Sequence, residues 1–200
     1  MTLNGYFFNL NISPQVLAQS NVAVPSPTLT HNNNNNNSNA NSSSFPTYQN
    51  TSSLGIAIQY PSNWKRITAD GKALIFLPPS KRDGFAEKLT VAVFSINDNI
   101  SVSQLFTGAI DNYGNQYKDF YIINSMPIIL GDKHGYSLTY AYNDPIAGKI
   151  RAMDIGIKDG NKAYIISYSA QQPEYYTYIY TVEKMIDSFH ILSSHASISV

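Results

Sequence analysis

The chain has 200 residues, 43% of them hydrophobic, with 13 Lys and Arg against 13 Asp and Glu and no cysteine. That length fits one globular domain plus a tail. The balanced charge leaves no basic footprint for nucleic acid or an anionic membrane, and the lack of cysteine excludes disulfides, thiol catalysis and thiolate metal sites.

The first twenty residues, MTLNGYFFNLNISPQVLAQS, hold an apolar region broken by Asn9, Asn11 and Pro14, with Val16 and Ala18 where a signal peptidase wants small residues. They read either as the remnant of an export signal or as an irregular disordered start. From Asn21 to Asn50 the chain is Asn, Ser, Thr and Pro with isolated apolar residues, including the run Asn32 to Asn37. Such a stretch cannot bury enough apolar surface to offset its ordering entropy. Residues 1–50 are therefore expected to be a disordered tether, 51–192 the domain and 193–200 a flexible tail. Asn-x-Ser/Thr acceptors at Asn11, Asn36, Asn41, Asn50 and Asn99 would suit a glycosylated, extracytoplasmic tether. No stretch reaches the roughly 18 apolar residues of a membrane-spanning helix.

Within the domain, Leu54 to Tyr60 alternates as a strand and stops at Pro61, after which a turn brings Trp64 back as a core anchor or, alternatively, a ligand platform. Lys72 to Leu77 reads as a second strand closed by Pro78-Pro79, and Ser80 to Gly84 as a solvated loop. Lys88 to Ile96, apolar on both faces, predicts a central strand covered on both sides. Ser101-x-x-Gln104 is a capping box with Ile100 and Leu105 as its staple. Val102, Leu105, Phe106, Ala109, Ile110 and Tyr113 then form the apolar stripe of a helix ending near Gly114. Phe120 to Leu130, Tyr136 to Tyr142 and Lys149 to Ile157 follow as strands.

Asp159-Gly160 signals a tight type I′ hairpin into a strand whose Tyr164, Ile166 and Tyr168 share one face. Pro173 supplies a ready-made first helical turn, and Tyr175, Ile179, Val182, Ile186 and Phe189 recur at helical spacing, widened by Tyr178 and Met185. Strands in hairpin order, with one helix inside the run and one after it, predict an α+β domain: an antiparallel β-sheet flanked by helices.

At Tyr60-Pro61-Ser62-Asn63-Trp64 the chain resembles the PsbP-like (PsbP/Mog1-type) family, in which a strand ends in a Tyr-Pro-x-x-Trp turn. It is similar again from Ala163 to Ala170 and at Met185-Ile186-Asp187-Ser188-Phe189, the family's closing strand and helix. The resemblance covers roughly residues 48 to 192 and implies an α/β/α sandwich. In chloroplasts and cyanobacteria such domains are extrinsic lumenal subunits that assist the oxygen-evolving photosystem, with calcium and manganese linked to that role. Mog1 relatives bind a Ran-type GTPase, and similar exported domains occur in bacteria and archaea. The resemblance thus implies a non-enzymatic domain of the exported prokaryotic branch. The Asn-rich tether departs from the plant proteins, and no metal-binding residue carries over.

The residues themselves offer little chemistry. His31, His134, His190 and His195 form no His-x-x-x-His pair, and a metal site would need acidic ligands gathered from distant loops, for instance Asp132 near His134. No nucleophile elbow, phosphate loop or dinucleotide fingerprint is present. No cofactor or metal is expected, and no catalytic residue is assigned. The exposed side of the last helix is the more informative set: Tyr176 and Tyr180, continued by Glu183 and Asp187, form an aromatic and acidic strip suited to a partner. Alternatively, those rings lie down over neighbouring apolar surface. The leading expectation is a non-catalytic, extracytoplasmic accessory domain that docks on a protein complex or a cell-surface layer. A small-ligand or calcium-like metal-ion module comes second and an unrecognised hydrolase third.

Overall fold

Period-two alternation through the second half of the chain builds long strands, and two stretches of helical period cover them. The computed structural model describes residues 44–51, 53–79 and 87–192. In chain order these hold β1 (Thr47–Asn50), β2 (Ile56–Gln59), β3 (Lys65–Ala69), β4 (Ala73–Leu77), β5 (Lys88–Ser95), helix α1 (Val102–Gln116), β6 (Lys118–Leu130), β7 (Lys133–Asp144), β8 (Gly148–Asp159), β9 (Lys162–Gln171), helix α2 (Tyr175–Asp187) and β10 (His190–Ile191). Seven strands form one sheet in the order β3-β4-β5-β9-β8-β7-β6, and β1-β2-β10 form a second. Each pairing is antiparallel. The expected α+β layering is present, with the large sheet between α1 on one face and α2 plus the small sheet on the other.

The main core lies under α2. Tyr175, Val182, Met185 and Ile186 of the helix, followed by Phe189, bury against Tyr164, Ile166 and Tyr168 of β9, Leu89 and Val91 of β5 and Ile56 and Ile58 of β2. Trp64 joins this core, with its ring edge-on to Tyr178, so it is a packing anchor. On the opposite face Leu105, Phe106, Ala109 and Tyr113 of α1 are buried. The Ser101–Gln104 capping box forms as its spacing requires: Gln104 N–H donates to Ser101 Oγ at 3.2 Å and Ser101 N–H to Gln104 Oε1 at 2.8 Å.

Several boundaries differ from expectation. Thr47–Asn50, placed in the tether, pairs with β2 because Tyr48 and Phe45 find the main core; the ordered domain therefore starts before residue 51. Lys65–Ala69 is a strand that the sequence hid, since as the outer strand it shows only Ile67 and Ala69 half-buried. Helix α1 runs through Gly114 to Gln116. The hairpin turn is Gly160-Asn161, one residue on, because Asp159 pairs with Lys162 across the ladder. Gly160 alone of the two has positive φ (57°), the pattern of a type II′ turn. Pro173 precedes the α2 cap, Glu174, instead of lying in its first turn. Residues 1–43, 52, 80–86 and 193–200 lie outside the described set, and with them the tether's first part, three of the five glycosylation acceptors, His31, His195, the Ser80 loop and the C-terminal tail.

Helix α1 needs a hole to sit in, and Gly156 of β8 provides it. A Cβ there would overlap the Phe106 ring and stand 3.0 Å from Ile165 Cδ1. Gly156→Ala is expected to lower stability by about 1–3 kcal/mol through overpacking, read by urea denaturation, with part of the loss recovered when Phe106→Leu is added.

Candidate functional site

The one buried carboxylate within the large sheet belongs to Asp154 of β8, which is 3% exposed. Tyr113 of α1 donates to its Oδ2 at 3.0 Å and Tyr140 of β7 at 3.2 Å, with Ser167 bonding from β9. Burial raises its pKa from 3.8 to about 6, against the pull of those three hydroxyls. Burial, followed by the Asp154 charge, likewise pushes the Tyr113 and Tyr140 phenols well above their usual value. Around it Tyr113 stacks on Tyr140 at 5.0 Å between centroids and Tyr117 on Tyr142 at 4.0 Å. A hydroxyl-bound carboxylate buried under a helix fastens α1 to the sheet. It is not the carboxylate pair or His–carboxylate contact in a cleft that hydrolysis would call for.

The surroundings of Asp132 and His134 are polar and exposed. Asp132 is exposed and lies 3.9 Å from Lys133 Nζ, which in turn donates to Asp159 at 2.8 Å. His134 and His190 are exposed. Among the described residues no three His, Asp or Glu side chains come together. The most enclosed space beside them, about 110 Å³ between the β6–β7 turn and Phe189-His190-Ile191, has room for a few waters.

The strip on α2 lies where its helical phase puts it. Tyr176 is 62% and Tyr180 71% exposed, and Glu183 and Asp187 are exposed with them. The rings are not laid down over apolar surface; cations brace them. Arg151 rises from β8 with its guanidinium carbon 4.7 Å from the Tyr175 ring centroid and 5.1 Å from that of Tyr176, and its Nη1 donates to the Tyr176 hydroxyl. Lys184 Nζ stands 5.0 Å from the Tyr180 centroid. The Arg151 charge draws the Tyr175 phenol down, although burial outweighs it and leaves that pKa raised.

Beyond Arg151 the sheet face is only partly covered: Ala141 and Ile155 are buried, whereas Ser137, Thr139 and Met153 are half-buried. Helix α2 packs on β9 and β2. The ladder carries the row Ala170–Arg151–Ala141–Tyr121 and the next rows, Met153–Thr139–Asn124 and Ile155–Ser137–Met126, out over β7 and β6. Ser137, Thr139 and Ala141 make a floor of small side chains. Tyr121, Asn124 and Met126 are exposed along the far rim. A shallow trough results, walled by Tyr176 of α2 and rimmed by β6. Sequence reasoning found the wall and missed the floor, the rim and Arg151. The available signal was a strand pattern with small polar residues on the side facing α2.

Because the native state holds the Asp154 proton more tightly than the unfolded chain, this group's contribution to stability is fully present below pH 3.8 and is lost as pH rises toward 6. Asp154→Asn should flatten the fall in unfolding free energy over that window by about 3 kcal/mol, two pKa units' worth, measured by urea titrations at a series of pH values.

A family model described as PsbP-like protein matches residues 16–191. No curated protein matches the chain by sequence. Among solved structures, the chain is similar to cyanobacterial PsbP (CyanoP) from Synechocystis sp. PCC 6803, at 18% identity and TM-score 0.55, covering 74% of this chain and 93% of that one. LpqN of Mycobacterium tuberculosis, whose description places it in cell envelope biogenesis, gives 10% identity, TM-score 0.55, and coverage of 76% and 88%. The Saccharomyces cerevisiae Ran-binding protein Mog1p gives 10% identity, TM-score 0.51, and coverage of 75% and 97%. At these identities the likenesses speak to fold, and they agree with the layers and strand pairings described above. The family match spans most of the sequence and takes in both helices and both sheets: this chain belongs to the PsbP-like protein family.

Proposed function

We propose that this domain is a non-catalytic accessory module that acts outside the cytoplasm, docking on a protein complex or a cell-surface layer through the trough and its Tyr176–Tyr180 wall. The observation that carries the reading is two tyrosines, 62% and 71% exposed, each held beside a cation. A large ring kept ready in solvent gives contact area at low entropy cost on binding. Glu183 and Asp187 extend the same side beside Arg151 and Lys184, so the wall carries both signs and a complementary surface would carry both as well. Membership of the PsbP-like family supports an accessory role. A neighbour described as involved in cell envelope biogenesis supports the location, and one described as Ran-binding supports a protein partner.

A photo-reactive residue in place of Tyr180, activated on intact cells, should link the domain to an envelope or surface component identified by mass spectrometry. Recovery from the cytosol alone would end the proposed location. In a pull-down of that component, the pair Tyr176→Ser and Tyr180→Ser should weaken capture by about tenfold or more, the scale of a binding hot spot. The same pair should shift stability by no more than about 0.5 kcal/mol; a large loss of stability would instead make the two rings part of the core.

A further inference from the structure

The two edges of the seven-stranded sheet are unlike. At one edge β3 is five residues long and opens on the exposed cations Lys65 and Arg66, the usual guard against pairing with another chain. At the other, β6 runs for 13 residues, and from Phe120 to Leu130 it carries no charge. Five large apolar side chains stand exposed on it: Tyr121, Ile122, Ile123, Met126 and Ile129, the last 69% exposed.

The order of residues on that edge is close to a palindrome about Ser125. Set antiparallel to itself with Ser125 opposite Ser125, the segment FYIINSMPIIL places Tyr121 across from Ile129, Ile122 from Ile128 and Asn124 from Met126. Both ends then match in charge: Lys118 of one copy falls opposite the exposed Asp132 of the other, twice by symmetry. Such self-complementarity is what a two-fold interface demands, since each patch must be its own partner. We propose that the β6 edge is a dimerisation surface and that its occupant is β6 of a second copy of this chain, which joins two seven-stranded sheets into one. Pro127 has no amide hydrogen to give, so each half of the new ladder forgoes a bond opposite Ile123. The register shifts in β6 from Lys118 to Asn124 loosen it further, and the apolar side-chain pairs and end charges hold it. This surface shares Tyr121 and Met126 with the rim of the trough but leaves the Tyr176–Tyr180 wall untouched, so substitutions at Ile129 and Lys118 and substitutions at Tyr176 and Tyr180 test the two readings separately.

The full chain, followed by sedimentation over a concentration series reaching several hundred micromolar, is expected to pass from monomer to dimer. Ile129→Lys, at an exposed position, should leave it monomeric throughout. Lys118→Asp should raise the dissociation constant by about tenfold, as two attractive surface pairs become repulsive. Adding Asp132→Lys should bring it back to within about threefold of the original. A protein that stays monomeric at every concentration would show that Pro127 and the register shifts guard the edge, and the proposal would be wrong. A dimer indifferent to all three substitutions would place the interface elsewhere and overturn it equally. Hydrogen exchange gives an independent reading: protection of the Tyr121–Ile129 amides should grow with concentration. Concentration-independent protection would mean that another part of the same chain covers the edge, which also excludes the dimer.

Discussion

The seating of α2 on β9 is the contact on which the remaining structure depends. Val182, Met185 and Ile186 are buried against Tyr164, Ile166 and Tyr168, and those strand residues lie at the centre of the large sheet, between β5 and β8. Each fully buried apolar side chain contributes roughly 1.5–3 kcal/mol, and the helix brings several. Its placement also decides what is left uncovered. By lying over β9 and β2, α2 shelters one half of the sheet face, and small side chains on β7 keep the other half shallow.

The two helices are held by different physics. Helix α2 sits by apolar burial, assisted by the Tyr168 hydroxyl, which donates to the Tyr175 carbonyl at 3.0 Å. Helix α1 is set by shape and by one polar knot: Phe106 fits over Gly156, and Tyr113 reaches down to Asp154. An apolar contact tolerates small shifts, whereas a buried carboxylate requires its donors in place. The α1 face is accordingly the more rigidly specified, and the Asp154 knot is one of specificity purchased with some stability at neutral pH.

Local signals in the sequence carried most of the architecture. The Ser101–Gln104 box, the glycine of the β8–β9 turn and the stripe from Tyr175 to Ile186 each mark a structure that forms among near neighbours in the chain, and each is where expected. The small sheet was illegible for the opposite reason: β10 pairs with β2 across more than a hundred residues, and a two-residue strand has no period to read. Tyr176 and Tyr180 were legible as exposed because helical phase is set by the buried side. Arg151 was not, since its position under Tyr175 and Tyr176 depends on how the helix crosses the sheet. Asp154 could be noticed as an acid among apolar alternation, but its tyrosine donors come from an element 41 positions earlier and a strand 14 positions earlier.

The small sheet has a mechanical meaning. Its middle strand, β2, is flanked by the first and the last strands described, β1 on one side and β10 on the other. The chain enters β1 at Thr47, beside Gln59, and leaves β10 at Ile191, beside Ile56, so it comes in at one end of β2 and goes out at the other, about a strand's length apart, ~13 Å for four residues. Tension drawn through either terminus would load β2's short seams before it reached the long ladders. The domain could also be carried inside a loop of another protein, or its ends joined and new ones opened elsewhere, with little rearrangement.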